Sequence, residues 1–413
     1  MKKGFLTLGR LPVVRRAAIL ACLVPAAVAS EPRSLFEYSP FDSLQVLEDE
    51  STHHPDALVD EGPDLELSPE GEGSPFEFVF AYTALYQHAD RAQQQRNGSG
   101  GDVDILGSYA LKPGSNGGQR KFVFRLEQRH KYGSFPPADL SDSIGNHLST
   151  TTYFFNEQDL SLVELYYDVE NEAAGYSFRI GKQDPGAIFN TYTYGDPETG
   201  FLGGGVVDSA TPFPELGWGG SLKVALAPQT YFTLGFHDAN ADATKIGFDT
   251  LKHGQFIKGA ELGFVPQTGI LGSVPGKYSL LVWHRDKTQD PASTTGWGLA
   301  FTGEQALPSN PNIVPFLRYS WSDGAASAKR HFSTGVAFQN VFGQSDDVIG
   351  LAGSWVDLAD PAERDESSFE AFYRINVTPN FSITPDVQVI WNPAKTTAYD
   401  RVVVLSLRAR FVF

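Results

Sequence analysis

From Pro75 onward the chain consists of segments of about ten residues in which apolar and polar side chains alternate. Clusters of Gly, Pro, Asn and Asp separate them. The last segment shows the pattern most clearly. Val403, Leu405, Leu407, Ala409, Phe411 and Phe413 fall on one face, and Ser406, Arg408 and Arg410 on the other. A period of two places them on a strand with one apolar side and one wet side. Sixteen such runs can be read, the first near 76–88, the second near 102–112, the fifth near 174–183 and the last near 400–413. Alternation alone fits either a soluble sandwich or a membrane barrel. Length and connections separate them. Eleven residues at about 3.3 Å each, tilted by about 45°, cover roughly 25 Å, the apolar height of an outer-membrane barrel. Gaps near 171–173, 228 and 378–379 are short, whereas 132–158, 184–215 and 239–255 are long. The pattern predicts an all-β fold: a transmembrane antiparallel β-barrel of about sixteen strands, with short periplasmic turns and long extracellular loops. A barrel of that size leaves a water-filled lumen.

Composition adds an address. Residues 1–29 carry Lys2, Lys3, Arg10, Arg15 and Arg16, then an apolar run from Ala17 to Val24 and the small residues Ala27-Val28-Ala29. This is the layout of a cleaved signal peptide, and the run is too short to span a bilayer. Cys22 leaves a lipoprotein reading open. Residues 30–74 hold thirteen acids against Arg33, with no apolar period, and read as an acidic, largely disordered periplasmic extension; residues 75–413 form the barrel. The whole chain has a net charge of −17, which excludes general nucleic-acid binding. The sole Cys lies in the leader, so the mature chain has no disulfide, thiolate nucleophile or cysteine metal site.

On the wet faces the inward phase places Arg125, Glu127, Arg129, Arg179, Arg318, Glu370, Arg374, Arg408 and Arg410 toward the lumen, with Glu164, Asp168, Glu304 and Asp386. Arginines on some strands and carboxylates on others would order water and align polar solutes. Guanidinium offers N–H donors to sugar hydroxyls and carboxylates accept from them; the same charges could instead only solvate the wall and pair with each other. The gap 184–215 is the candidate constriction loop, carrying Phe189, Tyr192, Tyr194, Phe201 and Phe213 among several glycines. Aromatic faces suit sugar rings, though an exposed extracellular loop would share this composition. Most tryptophans lie near strand ends, as expected of an interfacial girdle, whereas Trp283 shares the phase of Arg285 and points inward.

Several short stretches stand out in order along the chain: Gly181-Lys182-Gln183-Asp184-Pro185, Pro212-Phe213-Pro214-Glu215-Leu216-Gly217, Asp238-Ala239-Asn240, Pro315-Phe316-Leu317-Arg318-Tyr319, Phe372-Tyr373-Arg374 and Thr384-Pro385-Asp386-Val387-Gln388. Together they resemble the carbohydrate-selective porins of the OprB family, over roughly residues 76–413. Lys182 stands where the family pattern has arginine. The resemblance implies a sixteen-stranded outer-membrane channel for monosaccharides without energy coupling. A passive porin for glucose-like sugars needs no cofactor. Its expected partners are small carbohydrates, outer-membrane lipid and lipopolysaccharide, and the barrel assembly machinery through the strand ending in Phe413. A homotrimer is common among such barrels. A broad or anion-preferring porin is the alternative.

Two other chemistries fit these residues less well. Asp238, Asn240 and Asp242 have calcium-loop spacing, but Ala243 replaces the required glycine, so a solvated turn is the simpler reading. No Gly-x-Ser-x-Gly elbow, Walker loop or H-E-x-x-H motif occurs, so neither an outer-membrane hydrolase nor another enzyme is expected. A surface-binding barrel would need long loops with independent structure.

Overall fold

The computed structural model describes residues 75–114, 117–152, 156–266, 269–343 and 346–413; the expected leader 1–29 and acidic segment 30–74 lie outside the described residues. Sixteen strands are formed: β1 (Phe76–Ala89), β2 (Asn97–Leu111), β3 (Gln119–Lys131), β4 (Gln158–Asn171), β5 (Tyr176–Gln183), β6 (Gly217–Ala227), β7 (Thr230–Asp238) and β8 (Phe256–Phe264). The second half continues with β9 (Gly276–Arg285), β10 (Gly296–Gln305), β11 (Ile313–Gly324), β12 (Ala328–Gln339), β13 (Val348–Leu358), β14 (Glu366–Thr378), β15 (Phe381–Trp391) and β16 (Arg401–Val412). Each pairs antiparallel with its neighbours, and β1 pairs with β16 to close the barrel. The closing seam is completed by Phe413, whose N–H donates to the Phe80 carbonyl while Phe80 N–H donates back, at 2.8 and 2.9 Å.

Burial decides between sandwich and barrel. Large apolar side chains are the exposed ones, with Phe78 at 61 % and Leu405 at 54 %, while Thr83, Gln87, Asp102 and Glu127 on the other phase are buried. A soluble sandwich has the opposite sense. No helix among the described residues is long and apolar enough to cross a membrane.

β2 begins at Asn97, earlier than the alternation near 102–112 predicts. Gly98, Gly100 and Gly101 carry no side chain to alternate, and a Cβ at Gly98 would lie 2.7 Å from the Pro137 Cα. The missing side chains make room for the loop between β3 and β4. The rims are also less regular than expected: 325–327 is a tight link on the long-loop side, and 265–275 is a longer link opposite. Short helices punctuate the loops, among them α1 (Leu140–Ile144), α2 (Gly204–Val207) and α3 (Phe248–Leu251), all too short for a sequence period to show.

The long-loop rim is bound together by side-chain contacts. His147 Nδ1 lies 2.8 Å from Glu363 Oε2, and the Glu366 carboxylate accepts from the backbone N–H groups of His147, Leu148 and Ala394. Lys182 is buried at this rim. Its Nζ donates to the carbonyls of Leu162, Ala243 and Lys245 at 2.9, 2.7 and 2.5 Å, tying β5 to the loop 239–255.

Candidate functional site: a loop inside the barrel

The segment 184–215 lies inside the barrel. Tyr192, Tyr194, Phe201 and Val206 form one apolar cluster with the wall residues Val314, Phe316, Val348 and Phe372. Phe201 meets Phe372 edge-on at 4.9 Å, and Tyr192 packs on Phe316 at 5.2 Å. A second cluster joins Phe189 to Leu281, Trp283 and Ala300, with Phe213 against it. The structure thus packs these rings of the candidate constriction loop against wall side chains. The cause is ordinary: burying each ring removes large apolar area from water. Trp283 is inward and 1 % exposed.

An irregular loop inside a barrel has no ladder to satisfy its backbone, and buried amides and carbonyls left unpaired are costly. Wall side chains supply the partners, sorted by sign. Arg318 Nη1 donates to the carbonyls of Val206, Val207 and Asp208 at 2.8, 2.7 and 3.0 Å, and its guanidinium stacks 4.4 Å above the Tyr192 ring. Arg408 donates to the carbonyls of Pro197 and Gly200, and Arg374 to Thr199. Arg410 pairs with Glu198 at 2.7 Å. Carboxylates take the N–H groups: Glu261 accepts from Asn190, Glu304 from Thr193, and Glu370 from Leu202 and Gly203. Arg318, Arg374, Arg408, Arg410 and Glu370, expected as pore-lining charges, thus grip the loop. Burial pushes the Glu198 carboxyl up, but Arg410 and Arg125 outweigh it and hold the group below its usual range. Asp184, at the start of the loop, is pushed up by burial against the opposing Gly186 N–H, which it accepts at 2.7 Å.

The other inward charges gather on β2 to β5. Arg125 Nε donates to Asp104 Oδ1 at 2.7 Å, and Arg129 Nη2 pairs with Glu127 Oε1 at 2.6 Å. Arg179 Nε donates to Asp168 Oδ1 at 3.0 Å while its guanidinium lies 4.4 Å from the Tyr166 ring centroid. The β3–β4 register shifts between Arg125 and Leu126 and again between Glu127 and Arg129. Such bulges re-aim side chains without breaking the sheet. Arg125 and Arg179 retain side-chain exposures of 17 % and 13 %, whereas Arg129 keeps 3 %.

Asp238 Oδ1 accepts from Asn240 N–H, Asn240 bonds Gln255, and Asp242 accepts from Thr244 and pairs with Lys245. What sequence reasoning missed is the trio Asp102, Asp104 and Glu198, which brings carboxylates from β2 and the loop together. The i, i+2 spacing on β2 was visible; the loop partner was not. It missed Lys223 too, whose Nζ sits 5.0 Å over the Tyr231 ring on the same inward wall.

Known proteins agree with this architecture. The family described as carbohydrate-selective porin, OprB family, matches residues 115–413. Porin AaxA of Chlamydia abortus (strain DSM 27085 / S26/3) is 27 % identical over 236 residues, covering 54 % of this chain and 51 % of that protein. Porin AaxA of Chlamydia caviae (strain ATCC VR-813 / DSM 19441 / 03DC25 / GPIC) is 26 % identical over 296 residues, covering 68 % and 63 %. The chain thus spans about half the length of the first of these relatives and less than two thirds of the second. The solved high-pH structure of Pseudomonas putida OprB superposes with a TM-score of 0.67 at 15 % identity, over 82 % of this chain and 94 % of that one. At that identity the likeness is one of fold. Fold and family point to a channel rather than an enzyme. With its closed sixteen-stranded wall and a family match over residues 115–413, the chain belongs to the OprB family of carbohydrate-selective porins of the outer membrane.

Proposed function

We propose that this porin passes small neutral carbohydrates of glucose-like size down their gradient, between the inward loop and the wall of β3 to β6. The observation that carries the reading is the partly exposed pair of arginines, each beside a carboxylate: Arg125 with Asp104 and Arg179 with Asp168. The two guanidiniums can donate N–H groups to sugar hydroxyls and the partly exposed Asp168 carboxylate can accept from them, so a neutral polyol replaces its lost water contacts, while buried Asp104 holds Arg125 in place. Close pairing of opposite charges keeps the local net charge low, which favours polar solutes over ions. In this reading Arg129 and Glu127 hold the cluster, while Arg318, Arg374, Arg408, Arg410 and Glu370 fix the loop that narrows the passage. Residues 1–29 serve as the export leader and 30–74 as a periplasmic extension.

Single-channel conductance titrated with a panel of sugars tests this. Block by monosaccharides is expected at millimolar concentration, about 4 kcal/mol, because tighter binding would hinder exit. Arg125→Gln and Arg179→Gln should each weaken the block. A strong anion preference without sugar block would reject the reading and favour an anion-preferring porin. Lys121 and Lys223 on the same wall give that second reading its support.

A further inference from the structure

We infer that Asp102, Asp104 and Glu198 form a divalent-cation site that fastens the inward loop to β2. One carboxylate oxygen from each lies within 4.8 Å of the other two, and among the described residues this is the one such group of metal-ligating side chains. All three residues are buried, Asp102 with no exposed surface. Calcium takes oxygen ligands at about 2.3–2.6 Å, so oxygens on opposite sides of one ion stand about 5 Å apart. The observed spacing meets that requirement.

The hydrogen bonding around the trio points the same way. Arg125 takes Asp104 Oδ1 and Arg410 takes Glu198 Oε2. Each arginine thus engages one oxygen and leaves the other, Asp104 Oδ2 and Glu198 Oε1, with no donor from a third residue, the two carboxyl groups meeting only each other. Asp102 goes further: neither of its carboxylate oxygens receives a hydrogen bond, and the nearest guanidinium nitrogen, Arg129 Nε, stands 3.8 Å from Oδ2. A fully buried carboxylate without a donor is an expensive group unless a cation neutralises it. Nor do the arginines balance the cluster. With Glu127 included, four carboxylates face the three guanidiniums of Arg125, Arg129 and Arg410. Hard, all-oxygen donors select calcium or magnesium over softer transition metals. The ligands come from a wall strand and from the middle of the loop, so the ion would staple one to the other on the side away from the Arg318 anchor.

The test uses the full-length protein, purified in detergent and treated with chelator. Calorimetric titration with Ca²⁺ should show one saturable site per chain, and Tb³⁺ should occupy it with luminescence sensitised by nearby tyrosines. Asp102→Asn and Glu198→Gln should each weaken Ca²⁺ binding roughly tenfold or more, since affinity follows the ligand charge count. Asp242→Asn, in the loop 239–255, should leave it unchanged. Heat-modifiable gel mobility reports whether each variant is folded. Glu198→Gln lies outside the wall and keeps the test valid if Asp102→Asn does not assemble. Three results would overturn the site: no saturable binding of Ca²⁺ or Mg²⁺ at millimolar concentration, as when the trio shares a proton instead; binding that survives both Asp102→Asn and Glu198→Gln, as from co-purified anionic lipid; or binding lost on Asp242→Asn alone.

Discussion

Arg318 offers the sharpest test of whether wall charges line the passage or hold the loop. The residue is 6 % exposed, and its guanidinium donates to three successive loop carbonyls and stacks on Tyr192, whose hydroxyl donates to the Val206 carbonyl at 2.9 Å. Arg318→Ala removes the charged donor and the stacking together. A hydrogen bond to a charged group contributes about 1.5–3 kcal/mol, and a desolvated cation–π contact about 2 kcal/mol. One nitrogen serves all three carbonyls, so the donors do not add in full, and a total of roughly 3–5 kcal/mol is reasonable. At about 1.4 kcal/mol per decade, the opening equilibrium around α2 should rise by two to three powers of ten. Hydrogen exchange reads that equilibrium directly. The amides of Val206, Val207 and Asp208 donate to Gly203 and Gly204, and their exchange should accelerate by that factor while β11 amides stay protected. Arg318→Lys keeps a charge but loses the planar stacking, and should fall between. Unchanged α2 protection in Arg318→Ala, with a reversal potential moved toward cations, would refute the anchoring role and restore Arg318 as a free lumen charge.

Three further outcomes are expected. Lys182→Met strands three carbonyls and should lower barrel stability by roughly 2–4 kcal/mol, read from the shift in heat-modifiable mobility; an unchanged transition would mean that other groups satisfy them. Gly181 has φ of +146° and a Cβ there would lie 2.3 Å from the Leu165 carbonyl oxygen, so Gly181→Ala should cut the yield of assembled barrel in outer-membrane fractions. Burial holds the His147 imidazole below its ordinary 6.5 despite Glu363 beside it. A histidine kept neutral in the folded rim contributes stability above its unfolded value, and that contribution is lost as pH falls through the lower folded value. Proteolysis of the loops around 147 and 363 should therefore accelerate on acidification below about pH 6.5, and His147→Gln should flatten the dependence.

The wall was legible because a membrane barrel writes its two environments into every strand. In β16, the alternation from Val403 to Phe413 predicts which side chains meet lipid, and Leu405 and Leu407 are exposed while Ser406, Arg408 and Arg410 are buried. The start of β2 escaped because Gly98, Gly100 and Gly101 have no side chains to alternate. At the site, the inward phase of Arg318 and Arg408 could be read, but not what they touch. Their partners are main-chain carbonyls of a loop more than a hundred residues away in sequence, and a carbonyl has no signature in the residue order. For the same reason Phe201 was recognised as an aromatic in a glycine-rich loop while its contact, Phe372, was not. Periodicity reports the two sides of a strand; it carries no record of a loop that folds back among the strands.

The grip on the inward loop has a consequence for how such a channel can change. Arg318, Arg408, Glu261, Glu304 and Glu370 hold carbonyl and amide groups, which every residue type supplies alike apart from the amide that proline lacks. Loop side chains that enter neither apolar cluster and meet no wall charge, unlike Glu198 on Arg410, can therefore be exchanged without releasing the loop. The outline of the passage can drift through point changes while its frame stays in place. In this barrel, new solute preferences need not be bought with new scaffolding.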